Sequence, residues 1–312
     1  VVAAYSPTEA RRAAFAADWP DFPLTDRLED ALTAPGVEAV LILTPPNTHL
    51  ALVRQAAMAG KHVLLEKPLE TATDRAEELV VRCLRQKVTL GVVLQHRFRP
   101  AAERLKALLD EGALGEILGC SAADPALGGR SPITTNPGRG TRDRDGGGVL
   151  LTQGIHTLDL MLWLAGPVAS VQGYARTLDH RMETEDTACA ALHFRSGALG
   201  VVEATTSAFP GFPERIDLTC SLGSARLEGA GLTVLWRDGR RLDLAPEAGP
   251  GGTGADPMAF SHAAHRALIA DFAAAIREDR PPRITGRDAM RVHRLIDAIL
   301  ESESVNSSII PH

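Results

Sequence analysis

The stretch His62-Val63-Leu64-Leu65-Glu66-Lys67-Pro68-Leu69-Glu70 constrains the fold more than any other part of this 312-residue chain. Val63, Leu64 and Leu65 are apolar in series, the pattern of a strand covered on both faces of a parallel sheet. Pro68 has no N–H and a fixed φ, so the ladder ends there. Glu66 and Lys67 are therefore held at the carboxyl end of a parallel strand, the place where open α/β sheets bind ligands.

The pattern on either side agrees. Val1 to Tyr5, Val37 to Leu43 and Thr89 to Leu94 read as strands, and Thr8 to Ala17, Asp26 to Leu32, Thr73 to Gln86 and Ala101 to Glu111 as helices. Thr44-Pro45-Pro46-Asn47 follows the second of these strands, and Asn47 or Thr48 is placed to cap a helix running to Gly60. This alternation predicts one doubly wound parallel sheet over residues 1–112. Beyond Gly112 the period changes. Glu116 to Ala122 opens a new strand, and Asp124 to Asp145 is a long polar loop of the kind that carries function. Val149 to Leu164 reads as one apolar helix on which Thr152, His156 and Asp159 share a face. Val168 to Leu244 gives short alternating strands, a mostly antiparallel open sheet. Helices over His262 to Glu278 and Gly286 to Ser302 finish an α+β domain of residues 113–312, with Asn306 to His312 unstructured. A helix-covered sheet leaves its other face for a partner, so a homodimer or homotetramer through that sheet is expected.

The charge balance, 33 Lys+Arg against 39 Asp+Glu, is mildly acidic at −6 and has no basic run, which argues against nucleic acid as a partner. No apolar run approaches the length of a membrane span. Cys83, Cys120, Cys189 and Cys220 are widely spaced with no C-x-x-C; they read as reduced thiols in a cytoplasmic protein and imply no metal site. Gly146-Gly147-Gly148 precedes a helix but follows no strand, so it is a poor phosphate loop.

Four segments in order resemble the Gfo/Idh/MocA oxidoreductases, NAD(P)-dependent sugar and polyol dehydrogenases and their relatives. They are Thr44-Pro45-Pro46-Asn47-Thr48-His49, Glu66-Lys67-Pro68, Asp145-Gly146-Gly147-Gly148 running into Gly154-Ile155-His156-Thr157-Leu158-Asp159, and Asp271-Phe272 through Arg280-Pro281-Pro282. The resemblance implies a Rossmann-like domain binding NAD or NADP, and Thr44, Pro46, Asn47, His49, Glu66 and Lys67 as its cofactor contacts. It also implies Arg139, within Gly138-Arg139-Gly140-Thr141, as a residue reaching the cofactor. In the family a strand, a G-x-G-x-x-G turn and a helix precede the position of Val1; the sequence from Val1 is expected to be truncated. Ser6 stands where a carboxylate would bind the ribose of NAD, and Arg11 and Arg12 follow, which tilts the expectation toward NADP.

Hydride transfer from an alcohol carbon needs a base for the hydroxyl proton and a positive charge beside the oxygen. The resemblance assigns these roles to His156 and Lys67. Arg97, Thr152 and Asp159 are the expected substrate contacts. The family commonly has Asp at the position of Thr152, and a hydroxyl supports an imidazole more weakly than a carboxylate does. Two other readings use the same residues: an NAD-dependent glycosidase or lyase working by transient oxidation, and a cofactor- or sugar-binding homologue without turnover.

Overall fold

The computed structural model describes residues 1–126, 140–245 and 261–311. The first half alternates strand and helix: β1 (Ala4–Tyr5), α1 (Glu9–Asp18), β2 (Leu24–Thr25), α2 (Leu28–Thr33), β3 (Ala39–Ile42), α3 (His49–Met58), β4 (His62–Leu65), α4 (Thr73–Arg85), β5 (Leu90–Val92) and α5 (Pro100–Asp110). All its pairings are parallel, with β4 between β3 and β5. Val63, Leu64 and Leu65 are buried, as a central strand requires. The Glu66 N–H still bonds the Ile42 carbonyl at 2.9 Å, and the ladder stops at Pro68, which follows a cis peptide. The expected single parallel sheet is two. Among the described residues no ladder bond joins β1 to β3, and Leu41 and Leu43 stay exposed along β3.

The second half opens with β6 (Ile117–Pro125), continues through α6 (Arg142–Asp145), α7 (Val149–Thr152) and α8 (Ile155–Ala165), and then runs β7 (Val168–Arg176), β8 (Thr187–Phe194), β9 (Leu199–Thr205), β10 (Arg215–Cys220), β11 (Gly223–Glu228), β12 (Gly231–Trp236) and β13 (Arg241–Leu244). These strands form one eight-stranded sheet in the order β13-β12-β11-β10-β6-β9-β8-β7, antiparallel except between β6 and β9. Burial alternates strictly: Ala188, Ala190, Leu192 and Phe194 point inward, and Cys189, Ala191 and His193 outward. α8 and α10 (Gly286–Val305) cover the inner face, α9 (Ala263–Arg277) preceding α10 in the chain.

Two expectations are corrected here. The apolar helix over Val149 to Leu164 is broken after Thr152: the Gly154 N–H bonds the Val149 carbonyl at 2.7 Å, one residue beyond helical register, and Arg142–Thr152 meets α8 at 48°. Thr152 and His156 therefore do not share a face of one helix. The C-terminal tail is not unstructured throughout. Ile309 exchanges both backbone hydrogen bonds, at 2.8 Å each, with Val171 on β7, whose outer edge would otherwise present free N–H and C=O groups.

α10 also returns to the first half. A capping box between Thr285 and Asp288 starts it, Thr285 bridges Gly91, and the Ile284 carbonyl accepts from Val92 N at 3.3 Å. The glycine run docks the halves together from the other side. Gly146 has φ +79°, and a Cβ there would lie 2.4 Å from the Thr71 backbone; a Cβ on Gly148 would lie 1.8 Å from the Glu185 carbonyl oxygen. Glu185 in turn accepts from the N–H groups of Gly148 and Leu150, both at 3.1 Å. The Gly148 amide is thus spent on an internal carboxylate, and that of Gly146 on the Arg142 carbonyl at 3.1 Å. Gly148→Ala should destabilise the fold by about 3 kcal/mol or more, as overpacking against backbone with no room to relax does. Urea unfolding of the variant measures it, and a loss under about 1 kcal/mol would contradict the contact.

Candidate active site

The turn after β4 is held from three sides. Glu70 is fully buried and accepts from Thr71 N at 2.6 Å, Thr71 Oγ1 at 2.9 Å and Arg75 at 2.6 Å. Burial opposes its charge, but Arg75 and the Thr71 donors outweigh burial and hold the carboxyl below its usual range. Leu69 N–H donates to His293 Nε2 on α10 at 3.2 Å, and burial pushes that imidazole down to about 4, keeping it a neutral acceptor. His49, fully buried at the start of α3, sets Nδ1 at 3.0 Å from the Pro68 carbonyl and Nε2 at 2.8 Å from that of Thr44. His49 was expected at the cofactor. The structure instead makes it a stitch between the β3 turn and the β4 turn, because both ring nitrogens are taken by backbone.

Lys67 crosses between the halves: its Nζ donates to the Thr152 carbonyl at 2.5 Å, and its N–H bonds Glu66 Oε2 at 2.9 Å. Burial pushes the Glu66 carboxyl up, against the pull of Lys67 and His49. Thr152 enters the site through its carbonyl, since its hydroxyl bonds the Gly148 carbonyl at 2.7 Å. His156 begins α8 nearby and stacks on His96, ring centroids 4.5 Å apart and planes 20° apart. Arg99 donates to His96 Nε2 at 2.8 Å, which leaves the hydrogen on Nδ1. Among the described residues the Nδ1 atoms of both rings are buried and unpartnered, as is Gln95 Oε1. Burial, then the neighbouring His96, Lys67, Arg99 and His265, push His156 well below the usual imidazole range, so it is neutral at rest.

Arg97 and Asp159 are corrected as substrate contacts. They form a buried bidentate pair, Nε to Oδ2 at 2.8 Å and Nη2 to Oδ1 at 2.5 Å, with Arg97 also 5.7 Å from the Trp163 ring centroid. Each satisfies the other, and neither opens to solvent. The resemblance places His96 at the cleft edge, and the structure stacks it on His156; sequence reasoning did not bring out Gln95 or Asp124 as site residues. Asp124 ends β6 with its Oδ2 accepting from Thr157 Oγ1 at 2.9 Å. An Asp at the start of a Gly/Pro/Arg-rich loop carries no signal by itself; the pairing with the residue after His156 appears only in space.

At the expected dinucleotide side, Ser6 follows β1 and its carbonyl accepts from Arg12 at 2.7 Å, so Arg12 folds back over the strand end where the ribose carboxylate would stand. Thr44, Pro46 and Asn47 lie in the turn after β3, Asn47 exposed. Neither Asn47 nor Thr48 caps α3; the Thr48 hydroxyl turns back to Thr44 Oγ1 at 2.7 Å and the Pro45 carbonyl at 2.8 Å. Arg139 lies outside the described residues. Thr44 and Glu66 follow the carboxyl ends of the adjacent parallel strands β3 and β4, the edge of an open α/β sheet where ligands bind. Among the described residues no glycine-rich turn follows a strand and opens a helix.

Comparison with known proteins agrees with this geometry. The family model described as an oxidoreductase family NAD-binding Rossmann fold matches residues 1–94, and that of the GFO/IDH/MocA C-terminal domain matches residues 102–226. Inositol 2-dehydrogenase of Leifsonia xyli subsp. xyli is 34% identical over 247 residues, 77% of this chain and 68% of that protein. The chain belongs to the Gfo/Idh/MocA oxidoreductases. Another such relative, the uncharacterized oxidoreductase YrbE of Bacillus subtilis, is 26% identical over 219 residues, 68% of this chain and 61% of its own length, so the match spans under two thirds of it. The solved WlbA dehydrogenase from Bordetella pertussis, in complex with NADH and UDP-GlcNAcA, superposes with a TM-score of 0.83 at 27% identity over 100% of this chain and 90% of that one.

The buried pair beside this Gfo/Idh/MocA site generates a pH-dependent prediction. Burial raises the Asp159 carboxyl to about 6, and the Arg97 fork holds it ionised against that. Arg97→Ala strands the carboxylate and should cost about 3–5 kcal/mol at pH 8. At pH 5 the stranded Asp159 takes a proton, so the loss shrinks. Urea unfolding at the two pH values checks this; an equal loss at both would contradict an ionised, buried Asp159.

Proposed function

We propose that the protein is an NAD(P)-dependent dehydrogenase acting on an alcohol carbon of a sugar or polyol, or on the corresponding carbonyl compound. The observation that carries the reading is the meeting of Lys67 with the segment that carries His156: the amine reaches the Thr152 carbonyl from the end of a parallel strand, beside an imidazole whose Nδ1 has no partner among the described residues. Family membership and the inositol dehydrogenase relative support the substrate class.

Ser6, Arg12, Thr44, Pro46, Asn47 and Glu66 are the residues that would hold the dinucleotide, with Arg139 a candidate carried from the resemblance. When bound, the nicotinamide supplies hydride acceptance or donation. Lys67 holds the substrate oxygen and stabilises negative charge on it. His156, neutral at rest, takes the hydroxyl proton or returns it. Glu66 fixes the turn by accepting the Lys67 N–H. His49, His293 and the Arg97–Asp159 pair hold the walls. The absence of a carboxylate at Ser6, with Arg12 folded over it, favours NADP over NAD.

Residues 1–112 serve as the dinucleotide domain and 113–312 as the substrate and oligomerisation domain. The exposed outer face of the large sheet, with Tyr174, Leu199, Val201 and Leu235, supports a homodimer or homotetramer through it. Four free cysteines suit a cytoplasmic protein.

Nicotinamide fluorescence on mixing with the protein, followed by absorbance on a panel of sugars and polyols, tests the reading. Lys67→Ala and His156→Ala should each lower kcat about 10²–10⁴-fold while leaving cofactor affinity nearly unchanged. Cofactor binding with no absorbance change on any substrate would contradict a dehydrogenase. NAD binding tenfold tighter than NADP, about 1.4 kcal/mol, would contradict the cofactor preference.

A further inference from the structure

The place where the resemblance expects a carboxylate holds Thr152, and both of its oxygens are spent: the hydroxyl on Gly148, the carbonyl on Lys67. A different carboxylate stands close by. Asp124 closes β6 on the inner, helix-covered face, the side it shares with buried Cys120 and Ala122. Thr157, the residue after His156, donates its hydroxyl to Asp124. The register Arg215↔Ala123 sets Glu214 opposite Asp124 on the neighbouring strand, and Glu214 pairs with Arg99 and lies 3.8 Å from His96 Nδ1.

The charged groups acting on Asp124 are thus groups of the cleft: Lys67 after β4, Arg99 before α5 and Glu214 before β10, with Thr157 supplied by α8. We propose that Asp124 is a positioning residue of the reaction, the carboxylate that supports Lys67 and His156 in place of one at position 152. The proposal rests on the dehydrogenase reading above. In that reading the C–H bond of the alcohol carbon would break with its hydride leaving to a bound dinucleotide, the hydroxyl proton would pass to His156 as the C=O bond forms, and the resulting imidazolium would lie beside Lys67. Two positive charges then share a half-buried site, and ionised Asp124 offsets them.

Its environment fits that task. Burial, and Glu214 beside it, push the Asp124 carboxyl up to about 6, against the pull of Thr157, Lys67 and Arg99. A raised carboxyl contributes stability that is present below its unfolded pKa near 4 and lost as pH rises through about 6. Asp124 therefore weakens the native state at pH 8.

Asp124→Asn keeps the shape and an acceptor for Thr157. The variant should melt no lower than the wild type at pH 8, lose about tenfold or more in kcat with KM within about threefold, and lose the acid limb of its pH–rate profile near 6. Adding Thr152→Asp to it should recover part of kcat. Should Asp124→Asn fold poorly, Thr157→Val, which frees the same carboxylate, should shift the same limb. Independently of activity, carboxyl ¹³C NMR should show Asp124 titrating higher in Lys67→Met than in the wild type, because Lys67 lowers it. An unchanged Asp124 titration overturns the proposal whatever the substrate. An unchanged kcat and pH profile in Asp124→Asn overturns it too. A shifted titration with no oxidation of any polyol overturns the dehydrogenase reading and takes the catalytic role with it.

Discussion

The contact between Lys67 and the Thr152 carbonyl joins two separately built sheets, and the site exists only while both ends of that bond hold still. On the lysine side the constraint is covalent at its root. Pro68 ends the β4 ladder, and the chain must turn there. His49, His293 and Glu70 then take up the backbone groups that the turn would leave buried and unpaired. On the threonine side the glycine run packs where no Cβ fits, and Glu185 takes the Gly148 amide. Neither half needs a large apolar interface at this point, because directional bonds fix the geometry.

Several carboxylates lie in low-dielectric surroundings near this junction, and their different fates sort structure from chemistry. Asp159 has a bidentate arginine and no access to solvent, which is the arrangement of a scaffold. Glu70 has three strong donors and stays ionised. Asp124 has one hydroxyl donor, an acidic neighbour and cations at longer range, so its charge is poorly stabilised at rest. Groups left in that condition are the ones whose charge matters during a reaction. The stacked His96 and His156, each with an unpartnered nitrogen, belong to the same class.

Much of this was legible in the sequence because period and punctuation report local physics. The apolar run before Glu66, the change of period near Gly112 and the alternation through β8 and β9 fix strand type and burial directly. The errors arose where space overrides spacing. Thr152 and His156 are four residues apart, but Gly154 breaks the helix between them. The resemblance makes His49 a cofactor contact, and its backbone partners make it a stitch. Arg97 and Asp159 are 62 residues apart, and Asp124 and Thr157 are 33 apart; no periodicity links such pairs. The split of the parallel strands into two sheets depends on a ladder between β1 and β3 that residue pattern alone does not decide.

The central claim is that Lys67 and His156 act on one substrate oxygen. A crystal structure of the protein with NADP⁺ and an oxidisable polyol addresses it directly. The account predicts a single hydroxyl of the ligand within hydrogen-bond distance of both Lys67 Nζ and a ring nitrogen of His156. A ligand hydroxyl bound to Lys67 alone, with both His156 nitrogens turned to backbone, would contradict it.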